Sequence, residues 1–256
     1  MEHNKIKLLG LLAILLAMGS LVSCNQKHYA VKEMQVSRIV IDSTWDSQAN
    51  PGLEKLVTSY KMALDNQMDI EIGTAAQTMK KGRPQSLLGN FTADALRKRA
   101  NEEWGNIDFA IVNTGGLRST LNKGTITVGN VYEIYSFDNT MVLLELSASN
   151  IEQFFKHIVS VGGQALSDNV QVVGNGKKLT SLKIGGKPLN PDKVYRIATL
   201  DYLAEGNDGM TAFTKAITKI DSGITLRDVM LDYIKEQTAN NKVIDAKQDN
   251  RITLNP

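Results

Sequence analysis

Ile107-Asp108-Phe109-Ala110-Ile111-Val112, followed at once by Asn113-Thr114-Gly115-Gly116-Leu117-Arg118, is the stretch from which the fold is read. A turn-like Gly105-Asn106 precedes it. A short apolar run bounded by turn residues reads as a buried strand. The loop after it is of a different kind. Two adjacent glycines let backbone approach a ligand closely, and the arginine beyond them offers a planar fork of donors for phosphate or carboxylate.

Outward from this strand, Thr140 to Leu146, Val170 to Val173, Leu179 to Ile184 and Val194 to Leu200 read as further strands, with an edge strand at Ser37 to Ile41. Gly174-Asn175-Gly176-Lys177 reads as a hairpin turn, because it lacks the spacer and the Ser/Thr of a phosphate loop. Leu53, Leu56, Val57, Tyr60 and Leu64 recur at helical spacing, which predicts an amphipathic helix over 52–66. A second helix starts near Ser86. A third opens on the S-x-x-E box of Ser149 and Glu152 and stops at Gly162-Gly163, and a last one is capped by Thr225. Helices and strands mix without strict βαβ alternation, which predicts an α+β domain: a mixed β-sheet with packed helices.

The N-terminus reads differently. Lys5 and Lys7 precede an apolar run from Leu8 to Val22, too short for a comfortable membrane crossing and placed as a signal peptide is. Leu21-Val22-Ser23-Cys24 looks like a lipobox, so residues 1–23 are expected to be removed and Cys24 to carry the lipid. Two or three acyl chains there would hold the protein on a bilayer. Residues 24–36 read as a tether and 37–256 as the folded domain. The expected location is the bacterial cell envelope, on the outer membrane, facing periplasm or exterior. Cys24 is the only cysteine, so an internal disulfide is excluded. With 29 basic and 27 acidic residues there is no basic excess of the kind nucleic acid requires.

No catalytic centre emerges. The chain has three histidines, and neither His28 nor His157 stands at metal-ligand spacing from another His or Cys. His157 reads as a helix-surface residue. A dinuclear phosphoesterase site needs several His, Asp and Asn ligands around two ions, and that set is missing. No G-x-S-x-G elbow, Walker A sequence or Cys-His pair appears. Three polar loops at strand ends remain: 113–118, Ser136-Phe137-Asp138-Asn139, and Tyr202-Leu203-Ala204-Glu205-Gly206-Asn207-Asp208-Gly209. Taken singly, each reads as a turn. Together they supply an arginine, two aromatic faces, an amide and a carboxylate, which is a nucleoside's inventory: rings to stack a base, an amide for its edge and a carboxylate for ribose hydroxyls.

The order and spacing of N-T-G-G-L-R, S-F-D-N and Y-L-A-E-G-N-D-G resemble the C-terminal, substrate-binding domain of the 5'-nucleotidase family, which includes the UDP-sugar hydrolases. Ser86-Leu87-Leu88-Gly89-Asn90 and Gly124-Thr125-Ile126-Thr127 resemble the same family's entry helix and the segment before its phenylalanine loop. The resemblance implies that Phe137 and Tyr202 clamp the base, Asn139 touches it, Asp208 meets the ribose and Arg118 the phosphates. Asn113, Gly116 and Arg83 complete the expected substrate-binding set. Tyr202 stands where phenylalanine is common, Ser136 replaces a proline, and Ser167-Asp168 replaces a Ser-Gly pair that approaches the ligand. In the family a separate metallophosphoesterase domain carries two metal ions and the catalytic dyad. This chain is therefore expected to hold no catalytic residue, metal or cofactor, with divalent metals in a partner domain. The expected function is the nucleotide-binding subunit of a split 5'-nucleotidase, acting in nucleotide catabolism with a separately encoded metallophosphoesterase. The alternatives are a stand-alone nucleotide or nucleoside binder, or a degenerate interaction scaffold.

Overall fold

The structure is a computed structural model and describes residues 30–44 and 50–256. Cys24, His28 and the leader lie outside the described residues. The chain divides into two units, Met1–Pro51 and Gly52–Pro256. In the first, residues 36–41 are exposed and irregular, so the edge strand expected at 37–41 is absent.

In chain order the helices and strands are α1 (Pro51–Met68), β1 (Glu71–Ala75), α2 (Leu87–Trp104), β2 (Phe109–Val112), β3 (Gly124–Thr127), α3 (Val128–Ile134), β4 (Thr140–Ser147), α4 (Ala148–Ser160), β5 (Ala165–Leu166), β6 (Val170–Asn175), β7 (Lys178–Ile184), β8 (Lys187–Pro188), β9 (Val194–Leu200), α5 (Asp201–Ala204), β10 (Thr218–Thr225), α6 (Leu226–Ala239) and β11 (Ile252–Asn255), all but the first residue of α1 in the second unit. The central sheet runs β10-β4-β9-β2-β5. Only the β2–β9 pair is parallel within it; β4 runs antiparallel to both β9 and β10. A second sheet, β11-β6-β7-β8, and the pair β1-β3 complete the fold. This is the mixed α+β architecture expected from the sequence.

The central strands are buried on both faces, which is why they read as near-continuous apolar runs. Their side chains alternate between two cores. Ala110, Val112, Met141, Leu143, Ala198 and Leu200 pack with α2, α3 and α6. Phe109, Ile111, Val142, Leu144, Leu146 and Ile197 face α4 and the second sheet. There Phe109, Phe154, Phe155 and Phe213 form a linked aromatic cluster with centroids 4.7–5.9 Å apart.

Caps fix the helix starts. Ser86 accepts from the Gly89 amide at 3.1 Å, and Thr225 accepts from that of Asp228 at 3.1 Å. α4 corrects its sequence reading. The cap is Ser147, which accepts from Asn150 N, while Glu152 pairs with Lys156. A reciprocal capping box does occur, at Thr127 and Asn130. α4 ends with Gly162 and Gly163 both at positive φ, as their sequence position requires. α1 forms as the spacing predicts, but Leu56, Val57, Tyr60 and Leu64 on it remain exposed, with no buried residue anywhere along the helix.

Candidate functional site

Because β2, β9 and β10 end, and β4 begins, at the same edge of the central sheet, the loops that follow or precede them converge there. Between them lies a cavity of about 340 Å³, lined in part by Asn113, Gly116, Arg118, Phe137, Asn139, Tyr202 and Asp208. The three polar loops thus open onto one space. Phe137 and Tyr202 present 52% and 40% of their surface to solvent. Side chains of that size stay exposed at a cost in apolar hydration, which burial against a ligand would recover. Leu200, Leu226 and Tyr135 add apolar surface to the lining. Burial pushes the Tyr135 phenol up, against the lowering effect of its 2.8 Å hydrogen bond with Thr92, so this tyrosine is neutral floor rather than an acid.

Asp208 is the polar centre of the site. Its carboxylate accepts from Asn113 Nδ2 at 2.8 Å and from the Tyr202 hydroxyl at 3.2 Å. The carboxylate's charge, and then the hydrogen bond, hold the Tyr202 phenol above its ordinary range. Gly116 leaves room for this packing: a Cβ there would lie 2.9 Å from Asn113 Oδ1, which would have to move. Arg118 lies with its guanidinium carbon 5.8 Å from the Phe137 ring centroid and spends one donor on Gly115 O at 3.4 Å. Its remaining donors are available to an anion.

Arg83 does not line the cavity; it is exposed and donates to Val161 O. Lys81 donates to Leu117 O at 2.7 Å, fixing the first loop from behind. Asp168 lies outside the lining and pairs with Arg97 at 3.3 Å. Sequence reasoning missed Gln164, 2% exposed, whose Oε1 accepts from Thr114 N at 2.8 Å and seats the glycine loop. It also read His157 as plain helix surface, although Nε2 lies 3.0 Å from Asp208 O. No local motif marks either residue, because each acts on a loop distant in sequence.

A family model described as the 5'-nucleotidase C-terminal domain matches residues 68–215. The chain belongs to that family. Protein UshA of Yersinia enterocolitica is 29% identical over 199 residues, which are 76% of this chain and 36% of that protein. Cell wall protein Lmo0130 of Listeria monocytogenes is 30% identical over 185 residues, 65% of this chain and 23% of that one. The crystal structure of the 5'-nucleotidase precursor from Thermus thermophilus superposes with a TM-score of 0.68 at 25% identity, covering 79% of this chain and 43% of that chain. The chain therefore spans little more than a third of the UshA protein it matches. The 5'-nucleotidase C-terminal domain match runs from the last residue of α1 to the 3₁₀ turn before β10. It therefore includes all three loops at the cavity.

Proposed function

We propose that the cavity binds a nucleotide or nucleoside and that this chain is the nucleotide-binding subunit of a 5'-nucleotidase. The base lies between Phe137 and Tyr202 with Asn139 at its edge, Asp208 accepts from the ribose hydroxyls, and Arg118 meets the phosphates. The observation that carries this reading is the gathering of two exposed rings, a guanidinium fork with donors to spare and a multiply held carboxylate around one cavity. Asp208 supports it further, because its present partners are an amide and a phenol, neutral donors for which sugar hydroxyls can substitute.

Hydrolysis in this reading takes place at divalent metals held by a metallophosphoesterase on a second polypeptide. The residues here do not fit such a centre: among the described residues no three His, Cys, Asp or Glu side chains group so as to hold an ion. Cys24 carries a lipid that keeps the chain on the cell envelope, in keeping with the cell wall relative from Listeria. Among the described residues no helix is long and apolar enough to cross a membrane. Labelled palmitate is expected to enter the wild-type chain but not Cys24→Ser; equal labelling would remove the anchor from the account.

The functional test mixes the purified chain with a candidate metallophosphoesterase, AMP and Mn²⁺. Phosphate release is expected to rise above that of the phosphoesterase alone, and the gain is expected to vanish with Phe137→Ala. No gain with the wild-type chain would sink the split arrangement.

A further inference from the structure

Three segments rest on the C-terminal half of α4 and the residues after it, two of them loops at the cavity and the third the stretch around Arg83 and Pro84. Gln164 holds the glycine loop through Thr114 N, and Arg83 reaches Val161 O. Gly163 lies so close to Pro84 that a Cβ there would come within 2.3 Å of the Pro84 carbonyl oxygen. His157 makes the remaining connection. Its Nε2 is 3.0 Å from the backbone oxygen of Asp208, and a carbonyl only accepts, so Nε2 carries the proton and donates.

Two adjacent residues of the loop fit this contact. Asp208 has φ 53° and ψ 26°, a left-handed conformation that few side-chain-bearing residues adopt. The next residue, Gly209, has φ 76°, and a Cβ on it would fall 2.5 Å from His157 Cε1. The ring edge thus occupies the space a side chain at 209 would need. The bond to the Asp208 carbonyl holds that residue in its left-handed turn, and this turn aims the carboxylate at Asn113 and Tyr202. His157 itself is not among the residues lining the cavity.

We propose that His157 is a positioning residue of the ligand site, acting only through Asp208. The inference rests on the nucleotide reading for its ligand and on loop geometry alone for the hydrogen bond. Glutamine is the conservative variant, since its side-chain amide also donates.

The test measures AMP binding by calorimetry for wild type, His157→Ala, His157→Gln, Asp208→Ala and the Asp208→Ala/His157→Ala double variant. Amide hydrogen exchange over 205–210 is followed without ligand. His157→Ala is expected to weaken AMP roughly tenfold, the size of one well-placed hydrogen bond, with most of the loss restored in His157→Gln. In the Asp208→Ala background the same change is expected to cost nothing more. Exchange at Gly209 and Met210 is expected to quicken in His157→Ala and recover in His157→Gln. An equal loss in the Asp208→Ala background would overturn the role, as would unchanged exchange. If the wild-type chain binds no AMP, the nucleotide reading fails and the exchange measurement alone decides whether His157 holds this loop.

Discussion

Two carboxylate clusters in this molecule are built on opposite plans. Under the C-terminal strand, Arg251 is 2% exposed and donates to Asp94 at 2.8 Å, to Asp249 at 2.7 Å and to Leu166 O at 2.7 Å. Burial lifts the Asp94 carboxyl above its ordinary range even against the pull of Arg251, whereas at Asp249 the arginine outweighs burial and the carboxyl is lowered. At the cavity, Asp208 is exposed and held by an amide, a phenol and a backbone contact from an imidazole. The first cluster sets charge against charge in low dielectric, where losing one partner strands the others. In the second, the carboxylate itself is held at the surface by an amide and a phenol, neutral donors that a ligand's hydroxyls can replace. Burial and pairing mark a structural lock; exposure and neutral satisfaction mark a place for a ligand.

The comparison breaks most readily at Arg251. Arg251→Met leaves two carboxylates without their cation and is expected to cost about 3–5 kcal/mol of stability in urea unfolding, while the folded fraction binds AMP as before. A loss of binding with unchanged stability would reverse the two roles. Next in size are Phe137→Ala and Tyr202→Ala, each expected to cost about 1–3 kcal/mol of nucleotide affinity in calorimetry, the range for removing a stacking ring. Their unfolding midpoints are expected to stay near wild type, because both rings are substantially exposed. Asp208→Asn is expected to weaken a ribonucleotide roughly tenfold and a dideoxynucleotide far less, which sharpens the claim that this carboxylate serves the sugar. The smallest effect is spectroscopic. Asp208's negative charge raises the Tyr202 phenol, so Asp208→Asn is expected to let it ionise at lower pH, seen as an earlier rise in ultraviolet absorbance.

How far all this was legible follows from where the information lies. The central strands β2, β4 and β9 could be read because burial on both faces leaves an apolar run in the chain itself. β10, Thr218–Thr225, could not, since it lies at the sheet edge and its side chains are largely solvated. Ser149 and Glu152 satisfy the spacing of a capping box, but Ser147 at the end of β4 reaches the free amides first. The cavity residues were readable as a set because each sits within a few residues of a strand end, where sheet geometry gathers them. Arg83, expected in the same set, lies apart from the cavity for the converse reason: its loop docks on the end of α4, a contact between segments 78 residues apart in sequence. Gln164 went unread, and His157 was read only as helix surface, on the same ground. Their partners are backbone atoms of distant loops, and backbone atoms leave no trace in a sequence.

The most direct test of the nucleotide site is a titration of the isotopically labelled chain with AMP, followed residue by residue in NMR spectra. The account predicts saturable shifts confined to 113–118, 137–139 and 202–209, with Arg251 and its neighbours silent. No shift at saturating AMP, or shifts centred away from these loops, would contradict it.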